Sequence, residues 1–378
     1  MKLSTFSFQA GRGWSLDAFP ALDSPRTLLM VFAAPEYMDA PAPIAELLSA
    51  YPQSHFIGCS TAGEIIGPLV GDRSLSVAAL RFEHSRIASV SASIEHASES
   101  RSAAERLAMQ LDPSGLRAVF VLSDGLNVNG SELVKGLNGA LPADVIVTGG
   151  LAGDGDRFKR TWVLCDGRPQ SGIITAVGLY GDRLRVTHGS RGGWDSFGPE
   201  RRVTRSNANI LYELDGKPAL ELYKEYLGER ASGLPATGLL FPLSIRKDAN
   251  NSRQVVRTIL GVDESNQALI FAGDVPKGFL AQLMRANFDR LVNGASVAAD
   301  QARGGPVAGP VLATAISCVG RRLVLGERVE EETESTLENL PAATQQIGFY
   351  SYGEISPYTT GSCDLHNQTM TLTTFAET

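Results

Sequence analysis

The stretch GCSTAGE at residues 58–64 indicates the fold most clearly, because it separates two apolar runs, HFI at 55–57 and II at 65–66. An apolar strand that runs into small residues and two glycines is typical of a strand end opening onto a tight turn. Glycines in such a turn let the backbone approach a bound molecule, and the hydroxyls of Ser60 and Thr61 can hydrogen-bond to it. We therefore predict that this turn faces a ligand.

Two later stretches repeat features of this turn. GGLAGD at residues 149–154 again follows an apolar run, and GEI at 353–355 repeats the GEI at 63–65. Around the first two turns, a strand, a helix, a strand, a glycine-rich turn and a hairpin recur at a nearly constant offset of 90 to 96 residues. A constant offset is the signature of internal duplication. We predict two halves, about 27–112 and 117–190, with a ligand cleft between them, and we expect a small ligand to bind there between the glycine-rich turns and the C-terminal domain.

The pattern of apolar residues predicts an α/β fold in two domains, since the chain is longer than a usual single domain. We expect a lead-in over residues 1–25 and an N-terminal domain over 26–208, an internally duplicated strand-helix-strand-hairpin arrangement with mixed sheets. A second α/β domain should occupy 209–378. Within it, the spacing of apolar residues predicts one long amphipathic helix from about Pro276 to Arg303.

Composition and charge exclude several classes of protein. The net charge is −7 and no Lys/Arg face is evident, which argues against a nucleic-acid partner. The pairs Arg201-Arg202 and Arg321-Arg322 are expected on the solvated surface. No apolar run approaches the ~20 residues that span a bilayer, and no signal-peptide core is evident. We expect a soluble, cytoplasmic protein that does not insert into membranes.

The four cysteines lie far apart without CxxC spacing, which suits reduced thiols better than disulfides or a zinc site. Cys59 could be a nucleophile beside the glycine turn. However, Ala62 replaces the second glycine of a G-x-S-x-G elbow, and neither HExxH nor a Walker loop is present. We therefore predict no catalytic residues and no metal site. An enzyme with Cys59 as nucleophile is the second alternative.

The candidate ligand-binding residues lie in and after the glycine-rich turns. A carboxylate there could accept a hydrogen bond from an ammonium or amide group of a ligand, or bond to the backbone of its own turn. Tyr350 and Tyr352 are two residues apart and would share one face of a strand, as an aromatic wall or as core. Trp162 and Trp194 are further candidates, although most tryptophans serve packing. The predicted ligand-binding set is Cys59, Ser60, Thr61, Glu64, Gly150, Asp154, Tyr350, Tyr352 and Glu354.

Taken together, five motifs resemble the FIST sensory proteins, in which a FIST N-terminal domain precedes a FIST C-terminal domain. The motifs follow in family order, and the resemblance covers about residues 27 to 373, nearly the whole chain. They are GCSTAGE at 58–64, GGLAGD at 149–154, YELDGKPA at 212–219, GFYSYGEI at 348–355 and HNQT at 366–369.

The resemblance implies a small-ligand sensory module of bacterial signal transduction, with amino acids proposed as ligands. It also implies partners such as kinases, cyclic-di-nucleotide enzymes or chemoreceptors. The sensory pair fills the chain, so we expect the signal to pass to a separate partner, such as a histidine kinase. Some family members are described as haem-binding nitric-oxide sensors. In that alternative haem would be the cofactor and His188, at the end of a strand, its candidate ligand.

Overall fold

The computed structural model describes residues 1–250, 254–358 and 362–378, and these residues form three mixed β-sheets and one antiparallel β-sheet with helices packed around them. The strands are β1 (Lys2–Gln9), β2 (Gly13–Trp14), β3 (Thr27–Ala33), β4 (His55–Ser60), β5 (Glu64–Ile66), β6 (Leu69–Gly71), β7 (Ser74–Arg81), β8 (Arg86–Ser93), β9 (Leu116–Ser123), β10 (Ile146–Leu151), β11 (Val163–Cys165), β12 (Arg168–Gln170), β13 (Ile173–Tyr180), β14 (Leu184–Arg191), β15 (Asp195–Asn207), β16 (Ile210–Leu214), β17 (Lys217–Pro218), β18 (Leu243–Arg246), β19 (Gln254–Arg257), β20 (Ile259–Asp263), β21 (Ala268–Phe271), β22 (Leu280–Arg285), β23 (Val311–Cys318), β24 (Thr344–Ser351), β25 (Gly353–Pro357), β26 (Cys363–His366) and β27 (Met370–Glu377). The α-helices are α1 (Ala42–Ala50), α2 (Ser100–Ala108), α3 (Gly130–Ala140), α4 (Ala219–Leu227), α5 (Phe288–Ala302), α6 (Val319–Leu325) and α7 (Val329–Glu338). The α/β class predicted from the sequence is confirmed. None of the helices in the described ranges is long and apolar enough to cross a membrane.

Three of the sheets share one plan, in which two parallel strands lie beside an antiparallel third. β3 is parallel to β4 and antiparallel to β7. β9 is likewise parallel to β10 and antiparallel to β13, and β23 is parallel to β24 and antiparallel to β27. One or more helices connect each parallel pair, as a parallel pairing requires. The strand order found around the first two turns therefore occurs a third time, over residues 311–377.

Each unit also contains a hairpin, and each hairpin pairs with the sheet of another unit. β5 of the first unit pairs with β24 of the third, and β11 of the second pairs with β4 of the first. β25 of the third unit pairs with β10 of the second, which completes a cycle. Main-chain hydrogen bonds therefore connect the N-terminal and C-terminal parts of the chain within single sheets.

The fourth sheet is formed by β15–β22 and follows the first two units in sequence. Its strand order is β19-β18-β22-β15-β16-β21-β20, with β17 beside β16. α4 covers this sheet through Leu220, Leu222 and Tyr223, which are all buried. The sheet is inserted between β14 and β23, two strands that belong to the third sheet with β27 between them.

The predicted long helix from Pro276 to Arg303 is wrong, because its first part is the strand β22. Leu280 and Leu283 fit a helical spacing, but β22 is hydrogen-bonded to β15 on one side and β18 on the other. Pairing on both sides outweighs the local pattern. The true start of α5 is marked by Asn287, whose side chain accepts the Arg290 N–H at 3.2 Å, a typical N-cap.

α5 packs across β14 and β27 of the third sheet through a face of small residues. Gly189 on β14 is needed for this close approach, because an added Cβ would collide with the carbonyl oxygen of Ala298. Leu291, in the first turn of α5, belongs to one hydrophobic cluster with Met284 of β22 and Val256 of β19. The space between the third and fourth sheets is therefore bordered by one end of this helix.

Candidate functional site

The turns after β4, β10 and β24 meet and are hydrogen-bonded to one another through the main chain. From N–H to carbonyl, the bonds run from Ala62 to Tyr350 at 2.8 Å, from Gly153 to Ser60 at 2.9 Å and from Tyr352 to Leu151 at 3.3 Å. We call this arrangement the turn ring. It brings the sequence-predicted residues together, but these backbone groups are occupied by the protein itself.

Glu64 and Glu354 occupy equivalent positions in the turn ring, and both are buried. Each carboxylate accepts a hydrogen bond from the hydroxyl of the residue three positions earlier in the sequence. Each also accepts the N–H and the hydroxyl of a second residue, which is the first residue of β7 for Glu64 and the residue just before β27 for Glu354. The donors are Thr61 and Ser74 for Glu64, and Ser351 and Thr369 for Glu354. Burial disfavours the charged form and raises the pKa of Glu64 to about 7 and of Glu354 to about 8.

Asp154 holds the corresponding position in the second unit and organises the loop that follows it. Its carboxylate accepts the N–H groups of Phe158 at 2.9 Å and of Lys159 and Arg160 at 2.8 Å. It also accepts the hydroxyl of Tyr352, whose ring stacks on Phe158 with centroids 4.6 Å apart. Asp154 and Tyr352 therefore form one local unit at the edge of the turn ring.

Arg321 was expected at the surface, and this prediction is wrong, because its side chain is fully buried. The guanidinium bonds the Glu332 carboxylate at 2.6 and 3.0 Å and donates to the carbonyls of Leu291 and Gly192. Glu332 also accepts the hydroxyl of Tyr350 at 2.7 Å. The buried charge of Arg321 is tolerated because it is paired with Glu332 and because its N–H groups have hydrogen-bond acceptors.

Arg322, the next residue, reaches the first turn instead. It donates to the Ala62 carbonyl at 2.5 Å and pairs with Asp72 at 2.7 Å. Gly63 makes room for it, because an added Cβ would lie 2.6 Å from a guanidinium nitrogen, and the φ of +134° also favours glycine. The glycine of this turn therefore faces an arginine of the protein.

The remaining predicted residues are also buried or half-buried. Cys59 is fully buried and burial raises the pKa of its thiol, which disfavours the thiolate that a nucleophile requires. Gly150 lies on β10 opposite Glu354, and Trp162 is fully buried with its indole N–H on the Pro35 carbonyl at 3.1 Å. His188 is half-buried on β14, where burial lowers its pKa.

A cavity of about 640 Å³ opens between α5, β19 and the turn that joins β26 to β27. His366 and Thr369, from the HNQT motif, form one wall, and Arg191, Trp194 and Arg290 form another. We call this space the first cavity. His188 is not among the described residues that line it, although Ser190 and Arg191 of the same strand are.

The charges of the first cavity suit an anion. Its described lining residues include two arginines and no carboxylate. Arg290 pairs with Asp195, whereas Arg191 has no ion-pair partner among the residues that the structure describes. The indole of Trp194 is held in place by a hydrogen bond from its N–H to the Gln368 carbonyl at 2.8 Å. A fixed aromatic ring and an unpaired guanidinium therefore lie at one opening.

The HNQT motif contains hydrogen-bonding groups that are not satisfied. Asn367 is fully buried, and both polar atoms of its side chain lack a hydrogen-bond partner among the described residues. An unpaired buried polar group costs roughly 1–3 kcal/mol. His366 and Thr369, on either side in sequence, line the first cavity. The turn beside the cavity is therefore destabilised relative to one with all its bonds made.

Sequence reasoning missed the first cavity, although its signals were present. Gly192 and Gly193 stand between Arg191 and Trp194, and an added Cβ at Gly193 would collide with the carbonyl oxygen of Arg290. Paired glycines beside an arginine and a tryptophan indicate a close backbone approach. Nothing local shows that HNQT, far along the chain, lies beside them and lines the same cavity.

Comparison with protein-family models matches residues 27–217 to the FIST N domain and residues 219–357 to the FIST C domain. A search of curated proteins finds no match. Among solved structures, the chain is similar to cyanuric acid hydrolase from A. caulinodans over 93% of this chain and 89% of that one, with a TM-score of 0.32 and 8% identity. A likeness at that TM-score carries no argument about function. Because the two family models together match most of the sequence, the chain belongs to the FIST family, whose N and C domains are sensory domains of signal transduction.

Proposed function

We propose that the protein senses a small carboxylate-bearing metabolite, such as an amino acid, which binds in the first cavity. The observation that carries this proposal is the guanidinium of Arg191, which has no ion-pair partner among the described residues and lines a cavity whose described lining has no carboxylate. The cavity volume of about 640 Å³ lies within the range of roughly 300–1,000 Å³ usual for small-molecule sites. The protein acts as a cytoplasmic binding module and not as an enzyme.

The lining residues suggest how such a ligand is held. The planar fork of Arg191 matches the two oxygens of a carboxylate, a pairing that is stronger than neutral hydrogen bonds. Trp194 offers an apolar ring to the body of the ligand. The amides of Gln254 and Asn293 are available for its other polar groups. Recognition would then combine one charge-assisted contact with several neutral contacts.

Two connections would carry the signal from the first cavity to the turn ring. Gly192, at the cavity wall, accepts a hydrogen bond from Arg321, which reaches Tyr350 of the ring through Glu332. A ligand that prefers one position of the Gly192 segment would shift the population of ring conformations. A separate partner, such as a histidine kinase or a cyclic-di-nucleotide enzyme, would respond to that shift.

The second connection is Thr369, which lines the first cavity and donates its hydroxyl to Glu354 at 2.8 Å. Glu354 therefore acts on the ligand through Thr369 in this proposal. The other residues that the sequence marked as ligand contacts, including Glu64, Asp154 and Cys59, lie outside the ligand site of this proposal. Their burial favours a role in holding the ring together.

The proposal is tested by thermal shift with a panel of amino acids and dicarboxylates. A ligand present at 100 times its dissociation constant should add about 2.7 kcal/mol to the free energy of unfolding. Arg191→Gln should weaken binding about tenfold or more. Arg185→Gln, an exposed arginine on the same strand, is the matched control and should bind as the unaltered protein does. The proposal fails if no compound shifts the protein or if both variants behave alike.

The haem alternative is tested on the same purified protein by visible absorption with added haemin. The proposal predicts no Soret band that depends on His188. A band that shifts with nitric oxide and disappears in His188→Ala would favour the gas sensor and count against a metabolite ligand.

A further inference from the structure

We infer that the protein has a second anion-binding site, in which Arg257 and Lys247 hold a small oxyanion between α3 and the fourth sheet. The site is a cavity of about 310 Å³ whose walls come from one face of α3, from β18 and β19, and from β26. We call it the second cavity. It does not depend on the proposed ligand of the first cavity.

Arg257 is the main reason for this inference. Its side chain lines the second cavity but the residue is only 7% exposed. Its guanidinium donates to the carbonyls of Asp274 and Leu365 at 3.0 Å and of Val256 at 3.3 Å. Within the described residues it makes no ion pair and its Nη2 donates to no acceptor. A buried guanidinium bonded only to neutral carbonyls lacks a counter-ion.

The burial of Arg257 without a counter-ion among the described residues is reflected in the pKa of its guanidinium. Burial lowers the pKa of Arg257 to about 10, with the charge of Asp274 acting in the opposite direction. The guanidinium is still charged at neutral pH. An anion beside it would stabilise the charged form and recover part of the lost solvation.

Most other charged residues of the second cavity are paired with one another or with neighbours, and Lys135, for example, pairs with both Glu132 and Asp274. Asp274 is compensated, since its two oxygens accept bonds at 3.1 Å from Lys135 and Asn129. Lys247 has no ion-pair partner among the described residues, whereas Arg246 pairs with Glu200 at 2.6 Å. In full, the charged residues of the lining are Lys135, Arg246, Lys247, Arg257, Asp274 and Asp364.

A hydroxyl donor lies close to Arg257. An added Cβ at Gly273 would lie 3.0 Å from the Arg257 Nε and 3.1 Å from the Ser131 Oγ, so both groups border the same small space. The Ser131 oxygen accepts the N–H of Asp274 at 3.2 Å, and its proton is donated to no acceptor among the described residues. Ser131 can therefore donate to an oxyanion held by the guanidinium.

The two cavities lie on opposite sides of one strand. Gln254 and Val256 of β19 line the first cavity, and Arg257 lines the second, as expected where successive side chains point to opposite faces. Val255 borders both. The alternation of side chains along β19 therefore separates the two cavities. Phosphate and carboxylate groups are both oxyanions, which a guanidinium and an ammonium group can bind.

The test is calorimetric titration of the full chain at low ionic strength with inorganic phosphate and, separately, with inorganic sulfate, two oxyanions that carry no carboxylate for the first cavity. We expect at least one probe to bind, and the stronger one identifies the class of oxyanion. Lys247→Gln should weaken that probe about tenfold, or 1.4 kcal/mol. Lys247 is exposed at the rim of the second cavity, so Lys247→Gln still tests the inference if Arg257→Gln does not fold.

Two controls separate this site from other effects. Lys159→Gln removes an exposed lysine that is not among the described residues lining the second cavity, and Arg191→Gln alters only the first cavity, so both should leave the affinity for that probe unchanged. The inference is overturned if neither probe binds the unaltered protein. It is equally overturned if either control variant weakens binding as much as Lys247→Gln does.

Discussion

Glu354 is the residue that joins the turn ring to the first cavity. Its carboxylate accepts both the N–H and the hydroxyl of Thr369, and it is fully buried. Burial raises its pKa from an ordinary value of 4.5 to about 8. The native protein therefore keeps a proton on this group over a pH range in which the unfolded chain has lost it.

This difference predicts a pH dependence with a definite sign. The stabilising contribution of protonated Glu354 is complete below about pH 4.5 and is lost as the pH rises through about 8. Glu354→Gln should therefore show a shallower decrease in the free energy of unfolding between about pH 5 and 8. Urea unfolding at several pH values measures this. Equal slopes in both proteins would contradict the account, and Glu334→Gln, an exposed glutamate on α7, is the control.

Arg321 and Arg322 are adjacent in sequence but differ in their environments. Arg321→Met leaves Glu332 buried without its partner, and we expect a loss of about 3–5 kcal/mol in the free energy of unfolding. Arg322→Met removes a pair with Asp72, which is largely exposed, and should cost about 1 kcal/mol or less. Chemical denaturation compares the two. A loss from Arg321→Met no larger than that from Arg322→Met would show that the buried pair does not hold the fold together.

Single residues were predicted from the sequence only where a local motif marked them. Glu64, Asp154 and Glu354 each follow a glycine, and all three occupy the turn ring. The partners of those carboxylates were not predictable, because Ser74 and Thr369 are brought to them by strand pairing. Nor could the sequence tell which arginine of an adjacent pair is buried.

The parallel strand pairs approach each other closely at glycines. An added Cβ at Gly348 would collide with the carbonyl oxygen of Ala315, and one at Gly58 would collide with that of Val31. We predict that Gly348→Ala costs about 3 kcal/mol or more, because the β23–β24 pair would have to separate. Gly305→Ala, with no atom within 4 Å of the added carbon, is the control. Denaturant midpoints measure the difference, and similar midpoints for the two variants would refute the prediction.

Most strands were predictable at the level of elements, but their partners were not. Buried strands such as β3 and β9 were identified by continuous apolar runs. The exchange of hairpins between units was missed, because the sequence of β5 does not record that its neighbour is β24. β22 was assigned to a helix because Leu280 and Leu283, three residues apart, fit the helical period. For both β5 and β22, pairing with strands distant in sequence determined the structure, and the local sequence did not.

At the scale of the whole molecule, the exchanged hairpins make the N-terminal and C-terminal parts interdependent. Removing the residues after 217 would leave β5 without β24 and β10 without β25. We predict that a chain of residues 27–217, the range of the FIST N domain, does not unfold cooperatively on its own, because these strand edges would be unpaired. Circular dichroism during thermal denaturation measures this. A sharp transition like that of the full chain would contradict the prediction.

The proposed ligand position in the first cavity is tested by a crystal structure of the protein with the compound that stabilises it most in the thermal-shift panel. We expect a ligand carboxylate at about 3 Å from the Arg191 guanidinium, with the ligand body against Trp194. A ligand bound at the turn ring or on His188, with the first cavity empty, would contradict it.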